Sequence, residues 1–228
     1  RTAQTISLSN GLVTLEVTEA GALTLVDPTT GERRDLHLRF EDEADVGDEY
    51  DYSPPADAAA AATLSFATPT GAPTLVADGP VRATVRLSYL LRLPQRISED
   101  RLRREGEVEM PVTLDVGLDA GTHRVDLAVE LDNRAEDHRL RLVVNSGTRA
   151  DMVFADGHFT VLERPVEPPA AVGWYQRPSG SGHHRRFFGV ADHDGGLVVL
   201  SRGLPEHHAH SGTDGVDLSI TLLRCVGW

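Results

Sequence analysis

The chain has 228 residues, 40% of them apolar and 25% charged, which is ordinary globular composition and enough for one large domain or two small ones. Its 35 acidic residues outnumber 22 basic ones, all of them arginine, for a net charge of −13. Such an excess repels phosphate backbones and anionic lipid, which argues against nucleic acid and membrane surfaces as partners and leaves neutral ligands such as sugars. The single Cys225 excludes an internal disulfide, and no apolar run approaches the roughly 20 residues that a membrane helix needs.

The first residues, RTAQTISLSNG, lack the apolar core of a signal peptide and begin without methionine on strand-like sequence, so a fragment of something longer is expected. From there alternation dominates: LVTLEV (12–17), ALTLV (22–26), ATVRLSYLL (83–91), VTLDVGL (112–118), HRVDLAVEL (123–131) and HRLRLVV (138–144) place apolar residues at every second position. This period fits strands with one buried and one wet face. Turn signals separate them at 26–32, 77–80, 118–122, 131–138 and 192–196, with Gly11 and Gly31 at hairpin positions that call for positive φ. Helix is scarce. The alanine run at 57–63 is too short to be stable alone, and 97–107, with Ser98 as a cap, reads as an arginine-rich hairpin tip or a single turn. Residues 165–182 read as a long loop. The expected fold is all-β, a large antiparallel sandwich with very little helix, in one domain over 1–228.

The clustered histidines are the first candidates for chemistry. In an extended segment His208 and His210 share a face, yet no second ligand cluster lies at fixed spacing, so His207, His208 and His210 are read as surface residues without metal. The same holds for His183 and His184. Cys225 reads as a structural thiol in an apolar strand, and no nucleophile elbow or phosphate loop is present. Trp174 and Tyr175 suit either a sugar-stacking platform or a loop pinned to the sandwich. Asn133 and His138 frame a turn network, and Arg139 and Arg141 are expected to alternate outward.

The stretch GDEYDYSPP (47–55) packs three acids and two tyrosines into five residues and closes on two prolines. Paired carboxylates perform acid–base work only where burial separates their pKa values, and Asp45, Asp48, Glu49 and Asp51 read as a solvated charge run. Binding through the tyrosine hydroxyls is the better reading.

Taken in order, SNGLVTLEVTEAGALTLVDPTTG, FEDEADVGDEYDYSPP, LDNRAEDHRLR, FTVLERP, GLVVLSRGLPE and ITLLRCVGW resemble the C-terminal region of glycoside hydrolase family 38, the retaining α-mannosidases, especially bacterial members that include mannosylglycerate hydrolases. The resemblance runs from about residue 6 to the end. It implies a galactose-mutarotase-like sandwich whose partner is a catalytic α/β barrel of the same polypeptide. That barrel would hold the aspartate nucleophile and the zinc, so this chain alone would carry no cofactor and no activity. It further implies that a loop tyrosine reaches the bound mannoside; the matching position is Tyr50, with Tyr52 as substitute and Asp48 in support, while Arg202 in LSRGLPE matches a late arginine near the sugar. Where relatives carry a tyrosine and an acid, this chain has His207 and His208. A homo-oligomer contact and a cytoplasmic location complete the expectation. The competing readings are a free-standing carbohydrate-binding module and an aldose-epimerase-like enzyme, for which no histidine–glutamate pair is assignable.

Overall fold

The computed structural model describes residues 5–170, 172–173 and 180–227, so Trp174 and Tyr175 lie outside the described residues. The fold is all-β with antiparallel pairing throughout, and no helix occurs among the described residues. Two compact units form, one from Arg1–Arg139 with Arg224–Trp228 and one from Leu140–Leu223.

In the first unit β1 (Thr5–Ser9), β2 (Thr14–Thr18), β3 (Leu23–Val26) and β4 (Arg33–Ala44) pair in sequence order, and β5 (Leu64–Phe66) adds to β4. A second sheet contains β6 (Thr74–Asp78) and β7 (Arg82–Leu93). After the short hairpin β8 (Arg96–Ile97) and β9 (Arg104–Glu105) it continues with β10 (Val108–Asp119) and β11 (Val125–Leu131), in the order β11-β10-β7-β6. Alternation in sequence becomes alternation in burial. Val85, Leu87, Tyr89, Leu91 and Leu93 of β7 face inward beside Met110, Val112, Leu114 and Val116 of β10. Phe40 of β4 meets Tyr89 of β7 edge-on, with centroids 5.1 Å apart, which places the first sheet against the second.

In the second unit β12 (His138–Asn145), β13 (Met152–Asp156), β14 (Val161–Pro165), β15 (Ser181–His183), β16 (Phe187–Ala191), β17 (Gly196–Leu200), β18 (Glu206–Gly212) and β19 (Gly215–Cys225) pair in the orders β12-β19-β18-β15 and β14-β13-β16-β17. The chain enters this unit within β12 and leaves it within β19. Phe188 of β16 stacks on His207 of β18 at 4.8 Å, so these sheets also bury a common core.

The alanine run forms a single turn: Ala61 N donates to Asp57 O, and the Asp57 carboxylate caps Ala59 and Ala60. The 97–107 segment is the expected hairpin tip, held by Ser98 Oγ bonding both Asp100 and the Arg103 backbone. Three expectations need correction. HRLRLVV does not expose its arginines, since Arg139 is 4% and Arg141 5% accessible in a strand covered on both faces. Nor are His184 and His207 surface residues: they are 2% and 1% exposed, because ring faces and half-bonded nitrogens allow a neutral imidazole to be buried. Asp45 is not solvated but fully buried.

Candidate functional site

The loop that follows β4 is built from its first residue. Phe40, Asp42 and Ala44 are buried at the end of β4, and Asp45 continues that burial with a fully enclosed carboxylate. A buried carboxylate requires donors, and Asp45 finds three. Its Oδ1 accepts from Gly47 N (2.9 Å) and Ser53 N (3.1 Å), and its Oδ2 accepts from Arg224 Nε (2.7 Å). The Asp45 N–H donates to Asp137 O at 2.8 Å. One side chain thereby ties both ends of the loop to the body of the unit.

Inside that frame Val46 N donates to Ser53 O (2.8 Å) and Asp48 N to Asp51 O (3.2 Å), closing a turn at 48–51. Asp48 Oδ1 accepts from both Tyr50 N and Asp51 N at 2.8 Å, the bonding of an Asx turn. Those backbone donors hold the Asp48 carboxyl below the usual carboxylate range. Gly47 admits no side chain, since a Cβ there would lie 1.9 Å from Asp51 O. Outside the loop Arg224 Nη2 donates to Asp48 O at 3.0 Å, and Arg101, at φ 59° on the β8–β9 tip, donates to Val46 O. Val46, Gly47, Asp48, Asp51, Ser53 and Arg101 line an open groove of about 640 Å³.

The two tyrosines have different surroundings. Tyr50, inside the 48–51 turn, is 82% exposed. Tyr52 is half-buried with the Arg139 guanidinium 3.5 Å from its ring centroid, and Arg139 is itself held by Glu43 at 2.7 Å. Behind the loop Asp42 bonds His138 Nδ1 at 2.6 Å and pairs with Arg104, and His138 Nε2 meets Asn133 Oδ1 at 2.9 Å. This is the turn network expected for Asn133 and His138, extended by two residues that sequence reading missed.

Asp48, Tyr50 and Tyr52 thus share one anchored loop of the first unit. Arg202 belongs to the second unit, on the exposed turn between β17 and β18. Asp45 was read as solvated and not as an anchor, and Arg101 and Arg224 were missed. The one usable signal was that FEDEAD keeps strand character while its acids accumulate, a pattern that needs distant arginines to be buried.

The second unit has its own polar core. Asp156, although opposed by burial, accepts from Arg186, Phe187 and Arg185 backbone N–H groups at 2.7, 3.0 and 2.9 Å, which pull its carboxyl far below the usual range. His184 Nε2 meets Ser201 Oγ at 2.7 Å, and the Nδ1 atoms of His184 and His207 lie 3.3 Å apart. Burial, then the neighbouring His184, pushes the His207 imidazole down to about 3. These are neutral packing histidines.

For a metal, three candidate ligand atoms come together among the described residues at Asp192, His193 and Asp194. All three are exposed in the turn between β16 and β17, where His193 Nε2 lies 3.1 Å from Asp194 Oδ2. A catalytic zinc requires ligands oriented by outer-shell partners in a protected cavity, so these residues do not fit one.

Comparison with known proteins gives the chain its place. Over 238 aligned residues it is 25% identical to a putative mannosylglycerate hydrolase of Halalkalibacterium halodurans, covering 97% of this chain and 25% of that protein. Two solved structures share its fold across 97% of its length at 24% identity. They are a glycosyl hydrolase family 38 protein from Enterococcus faecalis, with a TM-score of 0.81, and an alpha-mannosidase from Enterococcus faecalis V583, with a TM-score of 0.84. The chain spans about a quarter of the length of each of these relatives. The sequence pattern of the glycosyl hydrolases family 38 C-terminal domain matches residues 8–228, and the chain belongs to that family.

Proposed function

We propose that this chain is the C-terminal β region of a larger retaining, zinc-dependent α-mannosidase, and that its 45–53 loop lends Tyr50 to the sugar site of the catalytic barrel. The observation that carries the reading is the contrast between an 82% exposed Tyr50 side chain and the buried Asp45 that anchors its loop. A phenol offers one donor and two acceptor positions on a rigid ring, which suits a sugar hydroxyl. A loop already fixed by Asp45, Arg224 and the Asx turn loses little entropy when that ring is engaged. Tyr52, stacked under Arg139, stiffens the loop, and Asp48 shapes its turn while lining the groove. Arg202, exposed on its own turn, is the further candidate for a substrate contact.

Bond cleavage is assigned to the remainder of the polypeptide, where the resemblance to the family puts the nucleophile and the zinc ligands, and positioning to this chain. The test is Tyr50→Phe in the full-length enzyme. Loss of a hydroxyl that bonds the sugar should lower kcat/KM on an α-mannoside by roughly 5- to 150-fold, equivalent to about 1–3 kcal/mol, with unchanged thermal stability. Unchanged kinetics would return Tyr50 to an ordinary exposed side chain.

A further inference from the structure

Among the described residues the backbone enters the left-handed region at two non-glycine positions, Arg101 at φ 59° and Asp137 at φ 52°. Both touch the first residues of the loop that carries Tyr50. Asp137 O accepts from Asp45 N at 2.8 Å, while Arg101 Nη2 donates to Val46 O and lies 3.5 Å from Gly47 O. Aspartate is a common occupant of that conformation, because its short polar side chain can bond locally. A long arginine side chain has no such relief, and glycine would fit the position without strain. Strained backbone of this kind persists where its surroundings hold it, and it collects at functional positions.

The hairpin that carries Arg101 does not need its side chain. The tip closes through Arg101 N donating to Ser98 O and Ser98 N to Arg103 O, each at 2.8 Å, and through Ser98 Oγ with Asp100 and the Arg103 backbone. Its base is tied down as well: Ile97 is buried, Arg104 pairs with the enclosed Asp42, and Gln95 O accepts from Glu136 N at 2.8 Å. None of these bonds uses the Arg101 guanidinium, which extends from the end of a fixed arm to the loop. Its target there is the link between the buried Asp45 anchor and the Asx turn that begins at Asp48. The N–H groups of that link are already placed, Val46 N on Ser53 O and Gly47 N on Asp45 Oδ1. Gly47 has no side chain to restrict its backbone, and a Cβ there would lie 1.9 Å from Asp51 O. The orientation of the link is therefore set from outside, and Arg101 supplies the donor to its carbonyls.

We propose that Arg101 is a positioning residue for Tyr50: it clamps the Val46–Gly47 link and thereby fixes the direction in which the 48–51 turn presents the phenol. The inference rests on reading Tyr50 as a contact to the sugar, and it separates two jobs within the loop. Asp45 is fully enclosed with Arg224 as its counter-charge, and that pair holds the loop to the fold. Arg101 is exposed, so water can replace it at the two carbonyls without leaving a buried charge unpaired. Its removal acts on geometry more than on stability. A loop released at this link samples other orientations, the phenol is in place for a smaller fraction of the time, and the rate falls with that fraction.

Arg101→Gly in the full-length enzyme tests this, because it removes the clamp and relieves the strained backbone in one change. The melting temperature should be equal to or higher than that of the wild type. On an α-mannoside kcat/KM should fall several-fold, by no more than Tyr50→Phe lowers it, and adding Arg101→Gly to Tyr50→Phe should lower it no further. Amide hydrogen exchange, read by mass spectrometry without reference to activity, should quicken several-fold over residues 46–53 and stay unchanged over β7 and β10. A lower melting temperature with faster exchange throughout would make Arg101 an ordinary structural residue and overturn the proposal. So would an equal loss of kcat/KM on the Tyr50→Phe background, which would make Arg101 a direct contact to substrate. Unchanged exchange over 46–53 defeats the clamp alone, and the proposed function then stands if Tyr50→Phe still lowers kcat/KM. Quickened exchange there with a silent Tyr50→Phe supports the clamp while defeating the proposed sugar contact.

Discussion

Arg224 reaches Asp45 across 179 residues of sequence, with Nε 2.7 Å from Oδ2, and its Nη2 caps the backbone oxygen of Asp48. The carboxylate is fully enclosed and the arginine side chain 19% exposed, so the pair is largely desolvated and its partners are hard to replace with water. The geometry of the loop that carries Tyr50 therefore depends on the last strand of the fold.

Removing the cation should cost much more than an exposed pair would. Arg224→Gln leaves Asp45 with two backbone donors and no counter-charge, and stability should fall by about 2–4 kcal/mol. The double variant Asp45→Asn with Arg224→Gln should recover part of that loss, because no buried charge remains unpaired. Urea unfolding of the three proteins measures the coupling, and strict additivity would show that the two residues act independently.

The two tyrosines make the opposite prediction for stability and binding. Tyr50→Ala removes a side chain that is 82% exposed and should change stability by less than about 0.5 kcal/mol. Tyr52→Ala deletes the ring beneath Arg139 and should cost about 1–2 kcal/mol from lost packing and cation–π attraction. Thermal unfolding of both variants decides which tyrosine is structural. A larger loss for Tyr50 would mean that its ring has a packing role.

Much of this architecture was written locally in the chain. Alternation in ATVRLSYLL and VTLDVGL needs only the two-residue period of a strand to predict β7 and β10, and Gly11 and Gly31 sit at φ 83° and 74° as their turns demand. Burial of charge was not local. Arg139 looks like an outward residue until Glu43, 96 positions away, is placed beside it, and Asp45 looks solvated until Arg224 arrives. His207 reads as one of a surface cluster because a neutral imidazole and a protonated one share a letter, and it takes burial, against Phe188, and then the neighbouring His184 to favour the neutral form. Within GDEYDYSPP the sequence could nominate Tyr50 and Tyr52 together, while the arginine that covers one of them lies on another strand.

That neutral histidine gives the chain an acid dependence whose sign is fixed. His207 is pushed down from 6.5 to about 3 by burial first and by His184 second. Between those values the unfolded chain binds a proton that the folded chain refuses, so stability is fully present above pH 6.5 and is lost progressively as pH falls toward 3. His184, also lowered by burial, contributes in the same direction. At full development the His207 contribution is on the order of a few kcal/mol. His207→Phe keeps a flat ring against Phe188 but cannot titrate. It should lose some stability near neutrality, where the 3.3 Å contact with His184 is gone, and lose less than the wild type on acidification. Denaturant midpoints collected through this range for both proteins measure the difference in slope. Parallel curves would show that His207 is not the group that titrates on unfolding.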